Sequence, residues 1–214
     1  MNVVLYDYWR STASYRVRIA LSLAGIAYRS VPVDLLAGAQ STPEHIARNP
    51  QGFVPVLEID GLRLTQSLAI IEYLDETRNV GLLPEHPAER VRVRCLSQVL
   101  AADTHPICNP SVVRQAQLYV AQDARDEMRI RWMQHFIRRG LAAFEAMLDS
   151  PATGQFCHGD APTIADLCLI PQIYNAERWG ADWSDLPRIR AIAATAEEIE
   201  AFQAARPEAV KPAT

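Results

Sequence analysis

Apolar residues are distributed in two regimes along the chain. Over the first 77 residues they come in short clusters separated by turn residues, the mark of alternating strands and helices. Val3–Tyr6 is an apolar run that predicts a strand. Ser14–Ala24 follows as a helix, with Val17, Ala20, Leu21 and Ala24 at helical spacing and Gly25 just beyond its end. Tyr28–Val33 predicts a second strand, and Pro43–Arg48 a short helical turn before Asn49-Pro50. Val56–Ile59 and Leu62–Thr65 flank Asp60-Gly61, the strongest short-range hairpin signal in the sequence. Ser67–Thr77 reads as a helix with Ile70, Ile71 and Leu74 inward and Glu72, Asp75 and Glu76 outward.

The resulting order, β-α-β-α-β-β-α, is a parallel βαβ unit followed by a hairpin and a helix, which is the thioredoxin-like layout. Residues 78–87 contain Gly81, Pro84 and Pro87 and predict a linker. From Ala88 the strand signals stop. Helical patterns recur in 88–105, 123–148, 163–177 and 187–203, which predicts an all-α half. The expected architecture is therefore α/β plus all-α, with a thioredoxin-like domain over 1–81 and an all-helical domain over 88–214. The proline-containing tail after Ala205 is expected to be loosely ordered or to lie across the surface.

Composition narrows the function classes. The 214 residues are 49% apolar and 21% charged, enough to bury a core without a disulfide or metal staple. A net charge of −4 leaves no basic surplus to neutralise phosphates, so a nucleic-acid partner is not expected. Cys95, Cys108, Cys157 and Cys168 are scattered, with neither a CxxC nor a metal-like spacing, so no metal site is expected. Met1 runs into Val3-Val4-Leu5-Tyr6 without a basic n-region or a long h-region, and no apolar run approaches the roughly 18 residues of a membrane span. A cytoplasmic protein with reduced thiols is the expectation.

Three short stretches carry candidate chemistry. Tyr8-Trp9-Arg10-Ser11-Thr12-Ala13-Ser14 joins the first strand to the first helix, where free backbone N–H groups and a positive helix end are presented. The turn has no cysteine, so it supplies no thiol of its own. Its hydroxyls could lower the pKa of a borrowed thiol, or Ser11 and Ser14 could simply cap the helix. Val54-Pro55 opens a strand with a residue that cannot donate to a central ladder, leaving backbone free for an extended ligand. An ordinary trans proline there is the commoner case, and a cis bond would suit the fold. Gln66-Ser67 opens a helix and is either a carboxylate site or a plain cap. In order, the three stretches fit a thiol, a peptide backbone and a terminal carboxylate. Further on, Thr163-Ile-Ala-Asp166 reads as a structural capping box, His105-Pro106 as a helix kink, and the four tryptophans as core or pocket wall.

Four stretches together resemble the zeta-class glutathione transferases, the maleylacetoacetate isomerase family. They are Arg10-Ser-Thr-Ala-Ser-Tyr-Arg-Val-Arg-Ile-Ala-Leu21, Asn49-Pro-Gln-Gly-Phe-Val-Pro55, Gln66-Ser-Leu-Ala-Ile-Ile-Glu-Tyr-Leu74 and Asp160-Ala-Pro-Thr-Ile-Ala-Asp-Leu-Cys-Leu-Ile-Pro-Gln172. The resemblance implies glutathione as cofactor, held by Ser11, Thr12, Ala13, Gln40, Val54, Pro55, Gln66, Ser67, His105, Asn109 and Ser111. It implies catalytic roles for Ser11 and Thr12, with Arg10 and Arg178 facing a small dicarboxylate-like substrate. The reaction it implies is cis–trans isomerisation of maleylacetoacetate in tyrosine and phenylalanine breakdown, by thiolate addition, rotation and elimination, in a homodimer. Maleylpyruvate isomerisation, or a conjugating or dehalogenating transfer, would use the same glutathione site, and a non-catalytic relative is the remaining alternative. This chain departs from the pattern at Ala13, where some members carry cysteine, and at Pro110, where many lack proline.

Overall fold

The computed structural model describes residues 3–212, which fall into two compact units. One unit runs to Leu82 and takes in the segment from Glu197 onward; the other spans Leu83–Ala196.

The first unit holds a four-stranded sheet of β1 (Val4–Asp7), β2 (Arg29–Pro32), β3 (Val56–Ile59) and β4 (Leu62–Thr65), in the order β2-β1-β3-β4. β1 pairs parallel with β2 and antiparallel with β3, and β3 pairs antiparallel with β4. The β3–β4 turn places Asp60 and Gly61 at φ 53° and 77°, the paired positive angles that a tight Asp-Gly hairpin demands. β2 is an edge strand, which is where Pro32 can be accommodated.

α1 (Thr12–Leu23) begins two residues earlier than the apolar spacing suggests, because Ser11 is its N-cap and accepts the Ser14 N–H at 3.2 Å. Ser14 is not a cap; its hydroxyl is fully buried and has no partner among the described residues. α2 (Pro43–Arg48) is capped by Thr42, and α3 (Ser67–Arg78) follows β4. Val4 and Tyr6 pack with Val33 and Val56 on one face of the sheet. Leu5 and Leu57, cross-strand partners, are completely buried on the other face, where Asp7 meets α1.

The final segment closes this unit. α9 (Glu200–Ala204) packs against α1, and the Tyr15 hydroxyl donates to the Phe202 carbonyl at 3.3 Å. The tail after Ala205 forms a last helical turn, α10 (Pro207–Val210), in which Pro207 is buried. α1 therefore has no solvated stripe: every residue from Thr12 to Leu21 is buried, Arg16 and Arg18 included.

The second unit is helical. α4 (Pro87–Gln98) continues into a π-helical turn at Val99–Thr104, in which the His105 N–H reaches back to the Leu100 carbonyl. Pro106, with no N–H to offer, ends the run. α5 (Pro110–Gln117), α6 (Arg125–Met147), α7 (Ile164–Trp179) and α8 (Pro187–Glu197) follow. α5 lay outside the helical patterns read from the sequence; Asn109 is its N-cap and Pro110 its first residue, where proline's missing N–H is harmless. Val93, Leu96, Leu100, Ile137, Leu141, Phe144, Leu167 and Leu169 make a fully buried core. α6 meets the π turn at Gly140, where a Cβ would lie 2.2 Å from Thr104 Oγ1. Asp166 accepts from the Thr163 N–H, the Thr163 hydroxyl and the Cys157 N–H, each at 2.8 Å; the first, with the Asp166 N–H reaching back to the Thr163 side chain, makes the expected capping box, and the other two add to it. Burial pushes the Asp166 carboxyl above its usual range, and these hydrogen bonds oppose the shift. No helix among the described residues is long and apolar enough to cross a membrane.

Candidate functional site

The sheet register gathers the candidate residues of the first unit. Asp7 ends β1 beside Pro32 at the end of β2, Tyr6 lies opposite Val56 at the start of β3, and Val56 lies opposite Thr65 at the end of β4. The segments that leave or enter the sheet there are 8–14, 33–41, 51–55 and 66–67. Four stretches far apart in sequence thus open at one end of the sheet.

Ser11 sits where α1 begins. Its Oγ accepts the Ser14 N–H, so its O–H hydrogen remains to be donated, and the first amides of α1 lie beside it. Thr12 and Ala13 are buried in the first turn, and the Ser11 N–H returns to the Tyr8 carbonyl at 2.8 Å. Arg10 is half-buried, with its guanidinium 4.3 Å from the Trp9 ring centre and its Nε buried without a hydrogen-bond partner among the described residues. The Lys211 ammonium lies 5.4 Å from the same ring. Tyr6, on β1 before this turn, is buried, its OH directed to Glu58 at 3.2 Å and its ring covered by Arg48.

The Val54–Pro55 peptide is cis, and Val54 lies just outside the β3 ladder. Gln66, a non-glycine residue at φ 69°, turns the chain from β4 into α3 without capping it. Such a backbone persists only where the surroundings hold it. Here the Gln66 side chain donates to Gln51 Oε1 at 2.7 Å, and the next residue, Ser67, accepts from the buried Arg16 guanidinium at 3.3 Å. Gln40 reaches the same end: its carbonyl would be 3.2 Å from a Cβ on Gly52, and its Oε1 is buried with no hydrogen-bond partner among the described residues. The arrangement offers hydroxyl and amide donors, an open backbone edge and an orphaned amide acceptor, a set suited to a short extended peptide with a carboxylate at one end and a thiol at the other.

The helical unit holds the remaining candidates. His105 is half-buried at the end of the π turn. Asn109 Oδ1 accepts the Ser111 N–H at 2.9 Å and the Ser111 hydroxyl at 2.7 Å, so both residues already serve the start of α5. Arg178 is exposed in the last turn of α7, 5.3 Å from the Trp179 ring centre. All four tryptophans are half-buried, so none belongs to the sealed core. Cys95 is exposed; Cys108 is buried and its thiol is pushed up to about 11, and Cys157 is raised by burial and by the nearby Asp166 charge. None of the four cysteines lies in the β1–α1 turn.

Sequence reasoning passed over Asp7, Arg16 and Arg18. Arg18 is 1% exposed and donates to Asp7 Oδ2 at 2.7 Å, the Trp9 carbonyl at 3.0 Å and the Ala205 carbonyl at 3.0 Å. It therefore holds the turn carrying Trp9 and Arg10 against both β1 and the C-terminal segment. The available signal was an arginine pair in a helix otherwise built of apolar and small hydroxyl residues.

Comparison with known proteins agrees with the fold. Residues 1–76 match the model of the glutathione S-transferase N-terminal domain, and residues 122–194 that of the glutathione S-transferase C-terminal domain. A maleylacetoacetate isomerase from Rhizobium meliloti is 63% identical over 212 residues, covering 99% of both chains. A holo maleyl pyruvate isomerase, a bacterial zeta-class glutathione S-transferase, superposes with a TM-score of 0.93 at 37% identity, covering 99% of this chain and 100% of its own. A maleylacetoacetate isomerase from Methylobacterium extorquens AM1, crystallised with malonate and glutathione, gives a TM-score of 0.91 at 42% identity, covering 98% and 100%.

Proposed function

The chain belongs to the glutathione transferase family, in its zeta class, and from that footing we propose that it is a glutathione-dependent isomerase converting maleylacetoacetate to fumarylacetoacetate. The observation that carries the reading is the end of the sheet where Ser11, Val54, Gln66 and Ser67 converge with no protein thiol among them. The orphaned Gln40 Oε1 and the uncapped start of α3 fit the polar ends of glutathione. Ser11, Thr12 and Ala13 would face its thiol, Val54 and Pro55 its backbone, and Gln40, Gln66 and Ser67 its polar ends. By resemblance, His105, Asn109 and Ser111 are also proposed as glutathione contacts. When bound, glutathione supplies a thiolate that adds to the double bond, frees it to rotate, and departs.

The residues of the chain make that chemistry accessible. The Ser11 O–H and the α1 amides favour a thiolate over a thiol at neutral pH, with Thr12 as a second hydroxyl in the same turn. Arg10, with an unused buried Nε, and Arg178 are the cations for the substrate's carboxylates and for the negative charge that grows beside the double bond. The malonate bound with glutathione in the Methylobacterium relative supports a small dicarboxylate-like substrate.

Turnover of maleylacetone with catalytic glutathione tests the reading. Isomerisation with glutathione recovered unchanged is the expected result; a stable conjugate, or no turnover, refutes it. The likeness to the maleyl pyruvate isomerase supports one rival, and the ratio of kcat/KM on the two substrates separates them. The same reading puts the protein in the cytoplasm, in tyrosine and phenylalanine breakdown, as a homodimer. A light-scattering mass near 23.9 kDa at micromolar concentration would refute the dimer.

A further inference from the structure

Ser67 opens α3 at the proposed glutathione site, and behind it lies a charge that the reaction does not consume. Arg16, on α1, is 1% exposed, and its Nη1 donates to Ser67 Oγ at 3.3 Å. A guanidinium has donors only, so in this contact Ser67 Oγ must be the acceptor. The single hydrogen of the Ser67 hydroxyl is thereby turned away from Arg16, and it meets no acceptor among the described residues. Gln66, immediately before, is held at φ 69° and does not cap the helix, so the hydroxyl and the first amides of α3 belong to the same end.

We propose that Arg16 is a positioning residue for the γ-glutamyl α-carboxylate of glutathione. It fixes the Ser67 rotor with its O–H outward and places a buried positive charge behind the first turn of α3. The donor that meets the carboxylate is then pre-set rather than ordered on binding, and the guanidinium polarises it. Arg16 acts through Ser67 and does not itself touch the ligand. The inference rests on the glutathione reading above.

The test is a double-mutant cycle on glutathione affinity, measured by calorimetry with Arg16→Met and Ser67→Ala. A second ligand, 4-aminobutyryl-cysteinyl-glycine, lacks only the α-carboxylate. Arg16→Met is expected to raise the glutathione Kd about tenfold, leave the Kd of the analogue unchanged, and have less than about a twofold effect once Ser67 is Ala. Should Arg16→Met fail to fold, Arg16→Lys keeps a charge and a donor in a similar volume, and is expected to weaken glutathione alone by about threefold. Equal weakening of both ligands by whichever variant folds, or additivity with Ser67→Ala, overturns the proposal and leaves Arg16 a merely structural residue. Failure of the unaltered protein to bind glutathione at all would instead sink the functional reading on which the proposal rests.

Discussion

Arg18 is the side chain whose loss should be felt most in the first unit. Arg18→Met keeps much of the apolar stem but deletes the guanidinium. Asp7, whose side chain is 6% exposed, is then left buried with the Ser30 hydroxyl, 3.0 Å away, as its remaining side-chain donor among the described residues. The Trp9 and Ala205 carbonyls lose donors at the same stroke. Removing one partner of a buried ion pair typically costs about 3–5 kcal/mol, and each orphaned carbonyl adds up to about 1 kcal/mol, partly overlapping. A loss of about 4 kcal/mol is a large part of the 5–15 kcal/mol a domain ordinarily has, and corresponds to roughly 10 °C in Tm for a chain of this size. The measurement is urea unfolding followed by tryptophan fluorescence, with Asp7→Leu and the double variant alongside. The double variant should recover to within about 2 kcal/mol of the original protein, because two apolar residues no longer strand a charge while the two carbonyls stay without that donor. A single-variant loss below about 1 kcal/mol, or a double variant as unstable as the sum of the singles, would show that the pair does not hold the turn in place.

Ser11→Ala should lose about 1 kcal/mol of helix capping and most of the isomerase activity at neutral pH. With its hydroxyl donor gone, the thiol pKa of bound glutathione rises, so activity should climb with pH through the new value; a pH profile parallel to that of the unaltered enzyme would contradict the role. Arg178→Ala should lower kcat/KM on maleylacetone by roughly one to two powers of ten while calorimetry finds the glutathione Kd nearly unchanged, and a large loss of glutathione affinity would reassign the residue. In a thiol titration of the native protein at pH 8, Cys95 should react first. Cys108, raised to about 11, and Cys157, raised by burial, offer little thiolate there. Replacing all four cysteines should leave turnover intact in whatever fraction folds; a folded but inactive variant would mean the reacting thiol is not a borrowed one.

The strands and the hairpin were legible because each is a local decision. Asp60-Gly61 needs only its own two positive φ values, and the apolar run from Val3 to Tyr6 needs only the sheet it joins. α1 was read two residues short at its start, and what covers it was not legible. Arg18 is buried where the chain returns from Glu200 onward and Arg16 against Ser67 at the start of α3, and within the helix only the two arginines themselves hint at either. α5 was missed because its apolar stripe is thin, although Asn109-Pro110 is a cap followed by a first-turn proline. At the candidate site, the hydroxyls, the Val-Pro pair and Gln66-Ser67 could be picked out singly. Their assembly depends on strand register, and the arginine behind Ser67 on helix packing, and neither is written in the spacing.

The return of the last segment to the first unit gives the order of synthesis a consequence. The sheet strands have all been made by Thr65, yet Tyr15 and Arg18 find acceptors in Phe202 and Ala205. At about 5–20 residues per second, on the order of ten seconds of translation separate these two moments. Through that interval the nascent sheet exposes the flank of its first helix, with a buried-type arginine facing solvent and the turn that carries Trp9 and Arg10 held from one side only. A chain cut short before Phe202 would stay in that condition permanently, offering chaperones and proteases an opened surface next to the turn proposed to meet the thiol. The first helix of this unit, made early, is thus finished only once the segment from Glu200 onward has been added, and the turn of the proposed site ripens with it.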